Sequence, residues 1–385
     1  MRPRPRRRRT LWVFGLTVMT LSAACSKADG PTEIQFDPLA ITTTSLTPAE
    51  AGAVYDETLS ATGGDGTYAW TVAQGALPAG LTLSSAGSVS GTPAAEGSYS
   101  FTVAVSSGDG QSADRTLSLD VAAPAPLAPD ELCSDHSPTA LVSFVDTNLT
   151  ARVRAAVGVG SSDPVTCAQA ATVASLTADG RGIQSLVGIQ NLTSLSSAVL
   201  HENSISDISP LSGLTSLITL NLYSNPIEDL GPLSGLTDLD VLVLWDIPAT
   251  DLSPLSSLTN LTFLEYWGSG SPVSDISALA SLTSLVRLFL QGNAVANLDA
   301  LSNMTALRDL DLDDNLLTDI GGIAALPELS LVMLMGNATL SDISALLNNP
   351  GIGTGDGVDL RGTAVSCVEV TALQAKGVNV SSDCP

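Results

Sequence analysis

Asparagine recurs along this chain on a 22-residue step: Asn203 and Asn225, then, after a gap of 68 residues, Asn293, Asn315 and Asn337. The gap is three steps plus two residues, so the period continues through it. Each asparagine stands in the same frame, clearest in LITLNLYSNPIEDLGPLSGL (217–236), which reads L-x-x-L-x-L-x-x-N-x-[IL] and continues D-[IL]-x-P-L-x-x-L. A unit this short cannot bury its own leucines, so copies must stack and share one continuous core. That restricts the chain to a solenoid.

The frame assigns its own parts. L-x-L predicts a short strand of a parallel sheet, and the asparagine amide satisfies backbone groups where the chain leaves the strand. On the opposite, convex side Pro210 and Pro254 suit the first position of a short helix or 3₁₀ turn, with Ser209 and Ser253 expected as caps. The acids just before these turns, Asp207, Asp229, Asp251, Asp275 and Asp319, read as turn and capping residues rather than ligands. The expected fold is therefore a leucine-rich repeat solenoid over residues 176–356, with a parallel β-sheet on the concave face and short 3₁₀ or helical turns on the convex face.

Different sequences close the two ends. SFVDTNLTARVRAAVGV carries helical spacing through Leu149, Val153 and Val157 and marks an N-terminal cap over 133–175. The stretch from Val358 to Cys384 continues the strand pattern and then adds a helix, giving a C-terminal cap over 357–385. Four of the five cysteines fall in these caps, Cys133 with Cys167 and Cys367 with Cys384. Local pairs in even number read as two disulfides formed in an oxidising compartment, each contributing about 2–4 kcal/mol.

The fifth cysteine, Cys25, follows a leader (1–24) whose opening MRPRPRRRRT holds six of the fifteen basic residues ahead of an apolar run too short to span a membrane. Its end, LSAAC, resembles a bacterial lipobox, displaced in that leucine stands at Leu21 and Ser22 takes the usual leucine position. The resemblance implies lipidation at Cys25; simple secretion after SAA is the alternative, and Arg8 with Arg9 hints at twin-arginine export. Without the leader, nine basic residues face thirty-nine acidic ones, a net charge of −30. Such a chain repels nucleic acid and anionic lipid head groups, so its expected contact with a membrane is through the N-terminal lipid alone.

A tether (25–35) precedes short alternating runs such as SYSFTVAVS and RTLSLDV, broken by Gly, Pro, Asp and Ser turns, which predict an all-β antiparallel sandwich over 36–122 with Trp70 and Phe101 in its core. This region resembles the immunoglobulin-like or cadherin-like modules of bacterial surface proteins. Asp65, Asp109 and Asp114 stand in turn contexts, so no cofactor is expected; calcium, which some related modules bind, is left open by the resemblance. A linker rich in proline and alanine, extended and stiff, fills 123–132.

Strand register then selects a candidate binding face. Because the leucines of L-x-L point inward, the alternating residues face the concave side. One outward column reads His201, Tyr223, Trp245, Trp267, Gln291, Asp313, Met335, and the column two residues earlier reads Val199, Asn221, Val243, Glu265, Phe289, Asp311, Met333; Phe263, Arg287 and Asp309 belong to a third. Tyr223, Trp245 and Trp267 would form a ladder across roughly 10 Å. Exposed apolar patches of this kind mark contact sites, although rings packed on one another merely to shield the sheet would look the same. Ile247 and Ser269 replace the asparagine in the two tryptophan repeats, and the second also carries the extra residues of GSGSP, which suggests a loop reshaped at the rim. Asp309, Asp311 and Asp313 point one way and would suit a basic partner or a divalent cation, with Arg287 neutralising part of the cluster.

The repeats DISPLSGLTSL and LNLYSNPIEDLGPLSGLTDL, with the helical cap before them, resemble the internalin-type leucine-rich repeats of bacterial surface proteins over about residues 133–385. The resemblance implies a non-enzymatic, cell-surface binding protein whose concave face takes a protein or peptide. The lipoprotein-like leader, in place of a wall anchor, and the two missing asparagines are departures, so no host receptor is implied. A carbohydrate ligand stacked on the aromatic patch is the runner-up. His136 and His201 are the only histidines, and no catalytic constellation, metal-binding spacing or phosphate loop stands out, so no enzyme is expected.

Overall fold

The computed structural model describes residues 35–268 and 272–385. The leader, Cys25 and the tether up to residue 34 lie outside the described residues, as does Ser269.

The first domain is a β-sandwich. Its strands are β1 (Ala40–Ile41), β2 (Ala49–Glu50), β3 (Tyr55–Thr58), β4 (Ala61–Thr62), β5 (Tyr68–Gly75), β6 (Leu81–Leu83), β7 (Ser88–Gly91), β8 (Gly97–Ser107) and β9 (Ser112–Ala122). They form sheets in the orders β2-β9-β8-β5 and β3-β7-β6, with β1 paired to β4. The alternation of SYSFTVAVS and RTLSLDV builds the β8–β9 hairpin and turns Phe101, Val103, Val105, Leu117, Leu119 and Val121 inward. Trp70 joins this core, 3% exposed. Gly87, at φ +92°, lies so close to the indole that a Cβ there would fall 2.8 Å from Nε1.

The linker, expected to run extended, makes a turn at Ala128–Glu131, where the Glu131 N–H donates to the Ala128 carbonyl, and it is docked. Leu127 is buried in the solenoid core and donates its N–H to Leu141, while Gln190 and Asn191 of the first repeat bind the carbonyls of Pro129 and Glu131. One buried leucine and these hydrogen bonds together fasten the segment to the cap and the first repeat.

In the N-terminal cap, helix α1 (Thr147–Val157) starts at Asp146, whose carboxylate accepts from Asn148 and Leu149, and buries Leu149 and Val153. Helix α2 (Cys167–Ala170) begins at one half of the Cys133–Cys167 disulfide. At the far end, α3 (Ser344–Asn348) ends the repeats, α4 (Cys367–Ala375) covers the last turn, and Cys367 bonds to Cys384.

The repeats supply β10 (Ser175–Thr177), β11 (Ser197–Val199), β12 (Thr219–Asn221), β13 (Val241–Val243), β14 (Phe263–Glu265), β15 (Arg287–Phe289), β16 (Asp309–Asp311) and β17 (Leu331–Met333), and the C-terminal cap adds β18 (Gly357–Asp359) and β19 (Asn379–Ser381). They make a ten-stranded parallel sheet in strict chain order. Register advances by the repeat, Thr219 opposite Val241 and Val241 opposite Phe263. The two extra residues of GSGSP are absorbed between β14 and β15, where Phe263 pairs with Arg287.

The asparagines form the expected ladder. Asn225, 3% exposed, donates to the carbonyls of Leu200 and Leu222 and accepts from the Ile205 N–H, joining two repeats. Asn293, Asn315 and Asn337 repeat the pattern. The residue just before the asparagine position adopts the left-handed region in most repeats, with glycine at 180, 292, 336 and 362 and Glu202, Ser224, Asp246 and Asp314 elsewhere; Gly268 does not. The convex turns differ from expectation in one respect. Ser209 and Ser253 are the first residues of the 3₁₀ turns and do not cap them; the aspartates do, Asp207 accepting from the Ser209 N–H and Asp251 from that of Ser253, both at 2.8 Å. A carboxylate two residues upstream reaches that N–H in an Asx turn, a geometry the serine hydroxyl lacks once it lies within the turn.

Candidate binding face of the parallel sheet

The strand register brings the sequence-selected residues onto one face. Tyr223, Trp245 and Trp267 stand on consecutive repeats, and their rings are half-buried. His201 extends the ladder: its ring stacks on Tyr223 with centroids 4.1 Å apart and planes 9° from parallel. Tyr223 stacks on Trp245 at 4.2 Å and 12°, and Trp245 meets Trp267 at 5.6 Å and 35°. The Tyr223 hydroxyl donates to Glu202 at 3.0 Å. Phe263 and Phe289 make an edge-to-face pair at 5.5 Å. The offered surface is thus ring edges along the ladder with two phenylalanines beside it.

Not every selected residue is available. Val243 shares the face but is only 8% exposed, flanked in register by Asn221 and Glu265 on the neighbouring strands. Asp313 is 4% exposed, and its carboxylate accepts from the Met335 N–H at 2.7 Å. The cluster Asp309, Asp311 and Asp313 therefore divides by role. Asp309 is held by Arg287 at 3.1 Å; Asp313 braces the next repeat; Asp311, half-buried, accepts from the Asp313 N–H.

These surroundings shift the carboxyls. Burial pushes Glu265 up, and the charge of Asp311 adds to it. Burial also raises Asp311, and it drives Asp313 up to about 6, with Asp311, Asp359 and Asp314 contributing. Burial works on Asp359 in the same direction, yet its hydrogen bonds with Arg361 hold it below the ordinary range.

Among the described residues no group of three or more His, Cys, Asp or Glu side chains is arranged to hold a metal ion. Asp65 serves a turn, accepting from Thr67, Ser107 and Gly108. No helix of the described residues is long and apolar enough to cross a membrane.

Residues 37–122 match the family described as "Putative Ig domain", and residues 190–235 match "Leucine Rich repeats (2 copies)". Among solved structures, internalin C2 of Listeria monocytogenes is 31% identical, the match covering 62% of this chain and 94% of that one with a TM-score of 0.51. The chain belongs to the internalin-type leucine-rich repeat proteins. The functional domain of InlJ from the same organism also matches, at 23% identity over 62% of this chain and 56% of that one, with a TM-score of 0.48. No curated protein matches.

Within this internalin-type domain one residue of consequence escapes the sequence reading. Tyr266 takes an inward leucine position of the frame, is fully buried, and donates its hydroxyl to the Ala249 carbonyl. It works next to the replaced asparagines: Ile247 is buried without a polar group, and the Ile227 N–H, which an asparagine at 247 would receive, turns to the Asn225 carbonyl. The signal was a tyrosine in a leucine column, visible once register is assigned.

Proposed function

We propose that this chain is a non-enzymatic binding protein of the bacterial cell envelope whose concave face takes a protein or peptide partner at Tyr223, Trp245, Trp267, Phe263 and Phe289. The observation that carries the reading is that these aromatics gather on the side of the sheet that the leucine core does not use. Clustered, half-buried aromatic side chains are the usual anchors of protein interfaces. Ring geometry favours a protein over a glycan. Sugars stack on free ring faces, whereas Tyr223 is stacked between His201 and Trp245, and Trp245 gives one face to Tyr223. Two disulfides in the caps support export. Cys25 is then the attachment point for a lipid, and the mass of the mature N-terminus tests that part.

The binding test immobilises the full chain and presents it with cell-surface proteins and, separately, with a glycan array. A protein retained by the parent and lost by W245A/W267A supports the reading. Retention of glycans alone, or of the same protein by the variant, rejects it.

A further inference from the structure

Glu265 and Asp311 stand in one outward column two strands apart, with Phe289 between them. At the ordinary strand spacing their backbones are about 10 Å apart, which leaves room for one cationic head group between two carboxylate arms. Neither carboxylate has an ion-pair partner among the described residues. The arginines of this region are engaged elsewhere, Arg287 with Asp309 and Arg361 with Asp359. Both carboxylates are half-buried, where a negative charge without a partner is costly. The side chain between them in the column is aromatic, Phe289, and Trp267 follows Glu265 on the same face. An aromatic ring beside two negative charges attracts a cation and repels an anion. A neutral apolar group would cover both charges and leave them unpaired.

We propose that the partner anchors here through a lysine or arginine side chain, seated over Phe289 between Glu265 and Asp311. This deepens the protein-binding reading and rests on it. Apolar residues flanking that cation would lie against the Tyr223–Trp267 ladder on one side and Met333 on the other. The proposal commits to a basic, partly apolar segment, as the charge complementarity of the face requires.

The test is an array of immobilised 12-residue peptides of varied composition, probed with the full chain and three variants: E265Q/D311N, W245A/W267A and E228Q/D238N. The last removes the same charge from exposed positions outside the concave columns. Melting curves establish that each variant is folded. The expected result is that the parent selects peptides with Lys or Arg beside apolar residues. On those peptides E265Q/D311N should lose about tenfold or more in signal, whereas E228Q/D238N should stay within about twofold. Equal losses in the two charge variants would mean attraction by net charge and overturn the proposal. Selection of peptides without basic residues, lost in W245A/W267A, would also overturn it while leaving the protein-binding reading standing. Binding that depends on neither the carboxylates nor the tryptophans would overturn both.

Discussion

Tyr223 and Trp245 stack almost in parallel across neighbouring repeats, 4.2 Å between centroids. Each such contact contributes about 0.5–1.5 kcal/mol beyond the area it buries, so the ladder holds its own shape before any partner arrives. A preformed row of ring edges loses little rotamer freedom on binding, which suits a recognition surface. Part of what the rings do is therefore structural.

The first prediction ranks two buried hydrogen-bonding side chains. Asn225→Ala takes the side-chain partner from the Ile205 N–H and the Leu222 carbonyl inside the solenoid and should cost about 2–4 kcal/mol. Tyr266→Phe removes one hydroxyl from the Ala249 carbonyl and should cost about 1 kcal/mol. Urea unfolding followed by circular dichroism measures both. If the two midpoints lie together, the asparagine ladder is not the main link between repeats.

The second prediction concerns the C-terminal cap. C367S/C384S opens a loop of sequence separation 17, for which chain entropy gives about 3 kcal/mol. Because a solenoid is held by nearest-neighbour contacts, the loss should be local. Hydrogen exchange should speed up in α4 and β19 and remain slow in β12 to β14. Uniform acceleration along the sheet would contradict the assignment of this segment as a cap.

The third prediction follows from Asp313, pushed up to about 6 by burial and by the neighbouring acids. Between the ordinary carboxyl value of about 3.9 and that raised value, the folded chain holds a proton that the unfolded chain has released. Asp313 therefore makes stability fall as pH rises through this window, with no further change above it. Asn at 313 can still accept from the Met335 N–H but does not titrate. The stability of Asp313→Asn relative to the parent should rise from about pH 4 to about pH 6 and then level off. A difference that stays flat across that range would show that the carboxyl titrates normally.

The period, the inward leucines and the outward columns were legible in the sequence because each depends on spacing along a single strand. What remained hidden depends on neighbours across strands. Val243 belongs to the outward column by parity, yet side chains on adjoining strands cover it; Asp313 shares a face with Asp309 and Asp311, yet its reach to the Met335 N–H lies in the next repeat. Docking of Leu127 on the cap was invisible for the same reason: proline and alanine specify an extended path but not what it lies against. Ser209 has the residue type of a cap, yet the 3₁₀ turn begins at Ser209 itself, and the Asp207 carboxylate takes its N–H.

The central claim is that Trp245 and Trp267 serve binding rather than folding, and the most direct measurement is a titration of a captured protein partner against W245A/W267A, paired with thermal unfolding of the same variant. Aromatic anchors at the centre of an interface cost about 2 kcal/mol or more each when truncated, so affinity should fall by at least about a hundredfold. The fold should survive with the loss of the ring contacts alone. Unchanged affinity in a folded variant would contradict the account and place the binding surface elsewhere on the molecule.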